Sequence, residues 1–216
     1  MKDLVHNVIT HLENGPGEIA LTYDDGPNEP YTPQLLDIFA RHGAKGTFFV
    51  VGKYVRHHPE IVRRIAEEGH AIGNHSYTHR NLSMLSAADV RLELEGCSQA
   101  IADATGSACH LFRPPFGLLS ETSLRVACDL DLQTFCWSVA TGDFEMPAPE
   151  IIVERASRQI ELNEKGEIVL LHDGGHAAFG MNRSATVAAT EQLIQKYHDK
   201  SFVALQLIQK SFAARA

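Results

Sequence analysis

Two short stretches of this chain, Asp24–Asp25 and His75-Ser76-Tyr77-Thr78-His79, carry side chains that could do chemistry together. The adjacent carboxylates follow the apolar run Ile19-Ala20-Leu21-Thr22-Tyr23 and precede a Gly26-Pro27 turn. One carboxylate and two imidazoles form a common ligand set for a catalytic divalent metal, because three protein ligands leave a coordination position open for water. A second carboxylate beside them, Asp24, would stand as a base next to that water. Like charges on neighbouring residues repel, and a cation relieves the repulsion. The i, i+4 spacing sets His75 and His79 one above the other on a helical turn. Together these residues point to metal-assisted hydrolysis. Each has a plainer reading too: Asp before Gly-Pro is ordinary turn chemistry, and lone histidines are usually structural. His57–His58 and His70 lack such partners and read as surface or core residues.

Two further clusters extend the set. In Arg113-Pro114-Pro115-Phe116-Gly117 the prolines stiffen the backbone and Gly117 allows angles closed to other residues. Such a loop could hold an amide N–H toward a developing oxyanion while Arg113 pairs with a buried carboxylate, or it could be a simple proline-rich connection. In Leu170-Leu171-His172-Asp173-Gly174-Gly175 a histidine ends an apolar strand, a suitable place for a general acid whose pKa is near neutrality. Asp143 could orient that imidazole as an acceptor, whereas Trp137 reads as core packing rather than a sugar platform.

The elements that must position these groups alternate along the chain. Candidate strands are 18–23, 46–51, 70–73, 110–112, 132–137, 167–171 and 201–204, and candidate helices are 32–42, 59–68, 86–104, 120–129, 149–161 and 184–198. Pro59 suits a first helical turn, Gly69 a helix stop, and Ser86 followed by Asp89 a capping box. Ser120 and Pro149 open two further helices, and Asn182-Arg183-Ser184 reads as the cap of the last one. Strand–helix alternation implies a parallel sheet with helices outside, an α/β fold in a single domain. Asp24–Asp25, His75 with His79, Arg113, Asp143 and His172 each follow a strand, and the carboxyl ends of strands are where such sheets bind ligands.

Composition narrows the classes. A chain of 216 residues with 44% apolar content can bury a substantial core, and a net charge of −8 without a basic block argues against a nucleic-acid partner. No apolar run of about 18 residues is present for a membrane span. The first ten residues do not read as a secretory leader, so a cytoplasmic location is expected, or an exported one if a leader was trimmed. Cys97, Cys109, Cys128 and Cys136 form no C-x-x-C pair and are expected as free thiols.

These residues resemble the polysaccharide deacetylase family, carbohydrate esterase family 4, whose shared unit is the NodB homology domain. Thr22-Tyr23-Asp24-Asp25-Gly26-Pro27 is similar to its T-F-D-D-G-P motif and His75-Ser76-Tyr77-Thr78-His79 to its H-[ST]-x-x-H motif. Arg113-Pro114-Pro115-Phe116-Gly117 and Leu171-His172-Asp173-Gly174 match its third and fifth motifs, and the likeness runs from about 17 to 205. The fourth, D-x-x-D-W, departs: Ala140 holds the first Asp position, Asp143 the second, and Phe144 replaces the tryptophan.

The resemblance implies a distorted (β/α) barrel of about seven parallel strands. It implies that Asp25, His75 and His79 bind a divalent metal, Zn2+ foremost, with Co2+, Ni2+ or Mn2+ able to serve. Asp24 would then be the base toward water, oriented by Arg113. His172, held by Asp143, would be the acid toward the leaving amine. The Phe116 backbone N–H would stabilise the oxyanion, a donor of a kind worth about 3 kcal/mol. The implied substrate is an N-acetylated glycan, a chitooligosaccharide or a peptidoglycan-type chain, and short chitooligosaccharide deacetylases are the nearest likeness. A deformylase or amidase acting on a different small amide, and a carbohydrate-binding relative without catalysis, stand as alternatives.

Overall fold

The structure, a computed structural model, describes residues 8–13, 15, 17–163 and 165–207. Its elements are β1 (His11–Leu12), β2 (Glu18–Gly26), α1 (Tyr31–His42), β3 (Thr47–Val50), α2 (Gly52–His57), α3 (Pro59–Glu67), β4 (Ala71–Asn74), α4 (Ala87–Thr105) and β5 (Leu111–Phe112). After these come α5 (Glu121–Asp129), β6 (Gln133–Thr134), β7 (Val139–Ala140), α6 (Pro149–Ile160), β8 (Gly166–His172), α7 (Ser184–Lys196) and β9 (Ser201–Phe202), with short 3₁₀ turns at Leu82–Met84, Pro115–Gly117 and Asp143–Glu145. The strands form one sheet in the order β1-β8-β2-β3-β4-β5-β6, with β7 also on β8 and β9 on β2. All pairings are parallel except β1 with β8.

Period-two alternation makes this sheet two-faced. On β2, Ile19, Leu21 and Tyr23 pack outward with Phe39 of α1 and with Leu193 and Ile194 of α7, while Ala20 points inward to Phe49, Leu111, Phe135 and Ile168. Each fully buried Leu or Ile of that outer layer contributes about 1.5–3 kcal/mol. Tyr23, standing where the family motif has phenylalanine, meets Thr190 Oγ1 at 2.9 Å and so keeps its buried hydroxyl satisfied.

The segment 133–140 gives β6 to one side of the sheet and β7 to the other, so the sheet curls back on itself as a distorted barrel. This divides the strand expected at 132–137: the backbone changes its ladder partner from β5 to β8, and Ser138 N–H donates to Ile168 O at 3.0 Å. Ile9 bridges Phe135 near the same gap.

The helices follow their local signals. Ser86 Oγ accepts the Asp89 N–H at 3.2 Å, Ser120 and Ser123 form a capping box, and Pro59 and Pro149 open α3 and α6. The six-residue α2 was not anticipated. Its first N–H groups, of Gly52 and Lys53, donate to the carbonyls of Ser76 and Tyr77 (3.0 and 2.9 Å), so its cap comes from far along the chain. Cys97, Cys109, Cys128 and Cys136 are free thiols. No helix among the described residues is long and apolar enough to cross a membrane.

Candidate active site at the carboxyl mouth of the barrel

Register brings the chemistry-bearing residues to one level. Asp24 on β2 pairs with His172 on β8, and Val50, Asn74 and Phe112 line up across β3, β4 and β5, so His75 and Arg113 leave their strands at the same edge. Asp24 is buried, and Arg113 Nη1 donates to its Oδ1 at 2.8 Å and to Thr22 Oγ1 at 2.7 Å. The guanidinium is itself completely buried, 4.1 Å from the Phe49 ring centre and 5.7 Å from that of Trp137, which packs inside the barrel under Gly117. Strand alternation alone would turn Asp25 away from this mouth. Instead Asp25 adopts φ 74° and the β2–β3 register slips between Asp24 and Gly26, a bulge that re-aims its carboxylate.

His75 and His79 do not lie on a helical turn, contrary to what their spacing suggests. Residues 75–79 form a loop with positive φ at Ser76 and His79 (64° and 61°). Asn74 Oδ1 accepts the Ser76 N–H at 2.8 Å and Ser76 Oγ accepts the His79 N–H at 2.9 Å. Glu93, on the buried stripe of α4, accepts both the Thr78 N–H (2.8 Å) and its hydroxyl (2.5 Å). These side-chain bonds replace a helical ladder and still bring the two imidazole centres to 4.9 Å.

The rings meet at Asp25. His79 Nε2 lies 3.0 Å and His75 Nε2 3.5 Å from Asp25 Oδ1, and His75 Nε2 is 3.7 Å from Asp24 Oδ2. His75 Nδ1 donates to Arg113 O at 2.8 Å, a carbonyl that can only accept, so Nε2 is the atom left facing the carboxylates. Asp25 Oδ1 is buried yet receives no hydrogen bond of proper alignment. A buried carboxylate oxygen crowded by imidazole nitrogens without aligned hydrogen bonds is what a cation site requires, and the donor set suits a divalent metal. Burial works to raise the Asp25 carboxyl, but the neighbouring His176, His75 and His79 outweigh it and hold it well below the usual range. Burial works to lower His75, and Asp24 and Asp25 overcome it, so His75 is raised; the same field favours a cation there.

On the neighbouring strand β8, His172 Nδ1 sits 2.8 Å from Asp143 Oδ1. Asp143 Oδ2 accepts the His172 N–H at 2.7 Å and the Thr186 hydroxyl at 2.9 Å, which fixes the carboxylate at both oxygens. Burial disfavours charge on His172, but Asp143, with Asp24 and Asp25 behind it, outweighs burial and the pKa is raised to about 9. Ala140, where the fourth motif has its first Asp, exchanges backbone hydrogen bonds with the Gln159 amide of α6 (3.1 and 2.9 Å). Phe116 (φ 61°) and Phe144 stand half exposed at 50% and 56%, the first edge-on to His79 at 4.6 Å and the second edge-on to His172 at 6.0 Å.

All eight candidate residues therefore share this mouth. Four others escaped the sequence. Glu93 and Thr186 lie on helices and give no local signal. Arg183, expected only within a helix cap, is buried and donates from Nε to Gly174 O at 2.6 Å, while the capping bond runs from Ser184 N–H to Asn182 Oδ1 at 2.9 Å. His176 follows the glycine pair directly, and its N–H donates to Asp25 Oδ2 at 3.1 Å. Its place beside the histidine-rich cluster was visible only as one more imidazole after the last motif.

Acid-, base- and ligand-type residues gathered at the carboxyl end of a parallel barrel make up a hydrolase site. Comparison with known proteins narrows the class. The polysaccharide deacetylase family model matches residues 11–135. A chitooligosaccharide deacetylase of Sinorhizobium fredii is 35% identical over 205 residues, covering 90% of this chain and 92% of its own. Among solved structures, a peptidoglycan N-acetylglucosamine deacetylase in complex with a naphthyl N-hydroxybenzamide superposes with a TM-score of 0.82 at 31% identity, over 92% of this chain and 90% of that one. A pseudoenzyme of carbohydrate esterase family 4 from Bacillus anthracis gives a TM-score of 0.80 at 28% identity, over 91% of this chain and 66% of that longer one. The chain belongs to the polysaccharide deacetylase family, a family of metal-dependent hydrolases.

Proposed function

We propose that this protein removes N-acetyl groups from N-acetylglucosamine-containing oligosaccharides by metal-assisted hydrolysis, with Asp25, His75 and His79 holding the ion and zinc the first candidate. The observation that carries this reading is that two proton-handling groups, each held by its own partner, stand at the mouth that carries the carboxylate–imidazole cluster: Asp24 clamped by Arg113 and His172 held by Asp143. When bound, a divalent ion would polarise the amide carbonyl and make water more acidic.

Asp24 takes a proton from the attacking water, and Arg113 holds its carboxylate aimed. The water oxygen bonds to the acetyl carbon, and the backbone N–H of Phe116 is the protein's donor to the oxygen that gains charge. His172 is protonated at neutral pH because its pKa lies near 9, so it can hand a proton to the amide nitrogen as the C–N bond breaks. Acetate and a free amine leave.

Half-exposed aromatic rings at the mouth, Phe116 beside His79 and Phe144 beside His172, support an extended sugar chain, whose apolar ring faces stack on such residues. Activity of the named kind in the Sinorhizobium relative supports the same substrate class. The test is acetate release by zinc-loaded protein from N-acetylglucosamine oligomers, peptidoglycan fragments and small formamides. Release from the oligomers is expected; cleavage of formamides alone, or retention of oligomers without acetate, overturns the reading.

A further inference from the structure

We propose that His176 is a fourth protein ligand of the metal, placed on the solvent side of the Asp25, His75 and His79 set; this rests on the metal-dependent reading above. Ligand-type atoms of Asp25, His79 and His176 lie within 4.8 Å of one another, and His176 Nδ1 is 3.7 Å from Asp25 Oδ2. The imidazole stacks on His79 with centres 4.8 Å apart at 17°, and Phe116 closes its edge at 5.2 Å. A carboxylate oxygen and one nitrogen from each of the two imidazoles thus border the same small volume. Asp25 Oδ1 and His79 Nδ1 are buried without hydrogen-bond partners, so the surrounding protein leaves this cluster's bonding capacity unfilled.

The loop that carries His176 is built against the site rather than draped over it. A Cβ at Gly174 would lie 2.0 Å from Asp25 O, so only glycine lets the chain pass this close. Gly174 O accepts Arg183 Nε at 2.6 Å and Gly175 O accepts the Tyr54 hydroxyl at 3.2 Å. Beyond His176, Phe179 stacks on His58 at 4.9 Å and 2°, and packs on Tyr54 at 5.3 Å. These anchors on both sides hold the imidazole within reach of the cluster, while half of the His176 side chain stays exposed. A half-exposed donor so placed would add affinity for the ion.

The experiment measures zinc affinity by competition with a chelator and the visible absorption of the cobalt(II) form, for wild type, His176→Ala and His176→Phe, without substrate. Phenylalanine keeps a ring over His79 but offers no donor nitrogen. A loss of zinc affinity of about tenfold or more in both variants, with a changed cobalt spectrum, supports a ligand. Unchanged affinity and spectrum in both overturn it, as does a loss in His176→Ala that His176→Phe restores, which would make the residue a stacking partner only. Because no turnover enters the readout, zinc affinity that depends on His176 in a protein releasing no acetate upholds the ligand and sinks the deacetylase reading. Acetate release with zinc affinity indifferent to His176 does the reverse.

Discussion

His79 and His172 stand at the same mouth, each about one hydrogen bond from a carboxylate: 3.0 Å to Asp25 and 2.8 Å to Asp143. Their protonation moves in opposite directions. At His79, burial dominates over the pull of Asp25, and the charges of His75 and His176 push the same way, so the pKa falls. At His172, burial is opposed by Asp143 and, to a smaller extent, by Asp24 and Asp25; together they outweigh it, and the pKa rises to about 9. The difference lies in how carboxylates are shared. Asp25 is shared among three imidazoles, and at His79 its pull is outweighed, which leaves a lone pair for a cation. Asp143 serves one imidazole, is itself fixed by Thr186, and holds that imidazole as an acid. One residue type thus supplies a ligand on one side and a proton donor on the other.

The largest effects should come from removing the proton-handling groups while sparing the ligand side. Asp24→Asn and His172→Ala should each lower acetate release by about 10²–10⁴-fold with metal content per chain unchanged. Loss of metal from either variant would merge the two halves and break the comparison. Next, a reaction that needs the His172 proton is supported while pH stays below about 9 and lost as pH rises through it. Asp143→Asn removes the dominant raising influence, so the alkaline limb of kcat/KM should move down toward the ordinary imidazole value of about 6.5; an unmoved limb would detach Asp143 from the acid.

Glu93→Gln should loosen the 75–79 loop through Thr78, weakening zinc affinity by about tenfold and costing only about 1 kcal/mol in urea unfolding. Equal affinity would show that the loop holds its shape without Glu93. The smallest effect sharpens the sharing argument. In metal-free protein, His75→Ala removes a nearby positive charge, so the His79 pKa followed by NMR should rise, and a fall would contradict shared charge on Asp25.

Much of this was legible in the chain because it depends on residues close in sequence. The alternation of Ile19, Leu21 and Tyr23 with Ala20, Thr22 and Asp24 gives both faces of β2 and places Asp24 inside the barrel. Helix starts at Ser86, Ser120, Pro59 and Pro149 were readable for the same reason. What escaped depends on partners far away. The i, i+4 spacing of His75 and His79 suggested a helical turn, but Asn74, Ser76 and Glu93 impose a loop. Asp25 faces the mouth only because of a bulge. The helix at Gly52–His57 is capped by carbonyls more than 20 residues on, and β7 exists because β8 offers it an edge. His176 belongs with the site only after Gly174 has packed on Asp25.

The most direct measurement is anomalous diffraction at the zinc edge from crystals of the zinc-loaded protein. One peak about 2.0–2.2 Å from an Asp25 oxygen and from ring nitrogens of His75 and His79, with Asp24 still on Arg113 and outside the coordination shell, is the predicted result. A peak bonded to Asp24, or zinc bound away from Asp25, would contradict the division between ligand and base on which the mechanism depends.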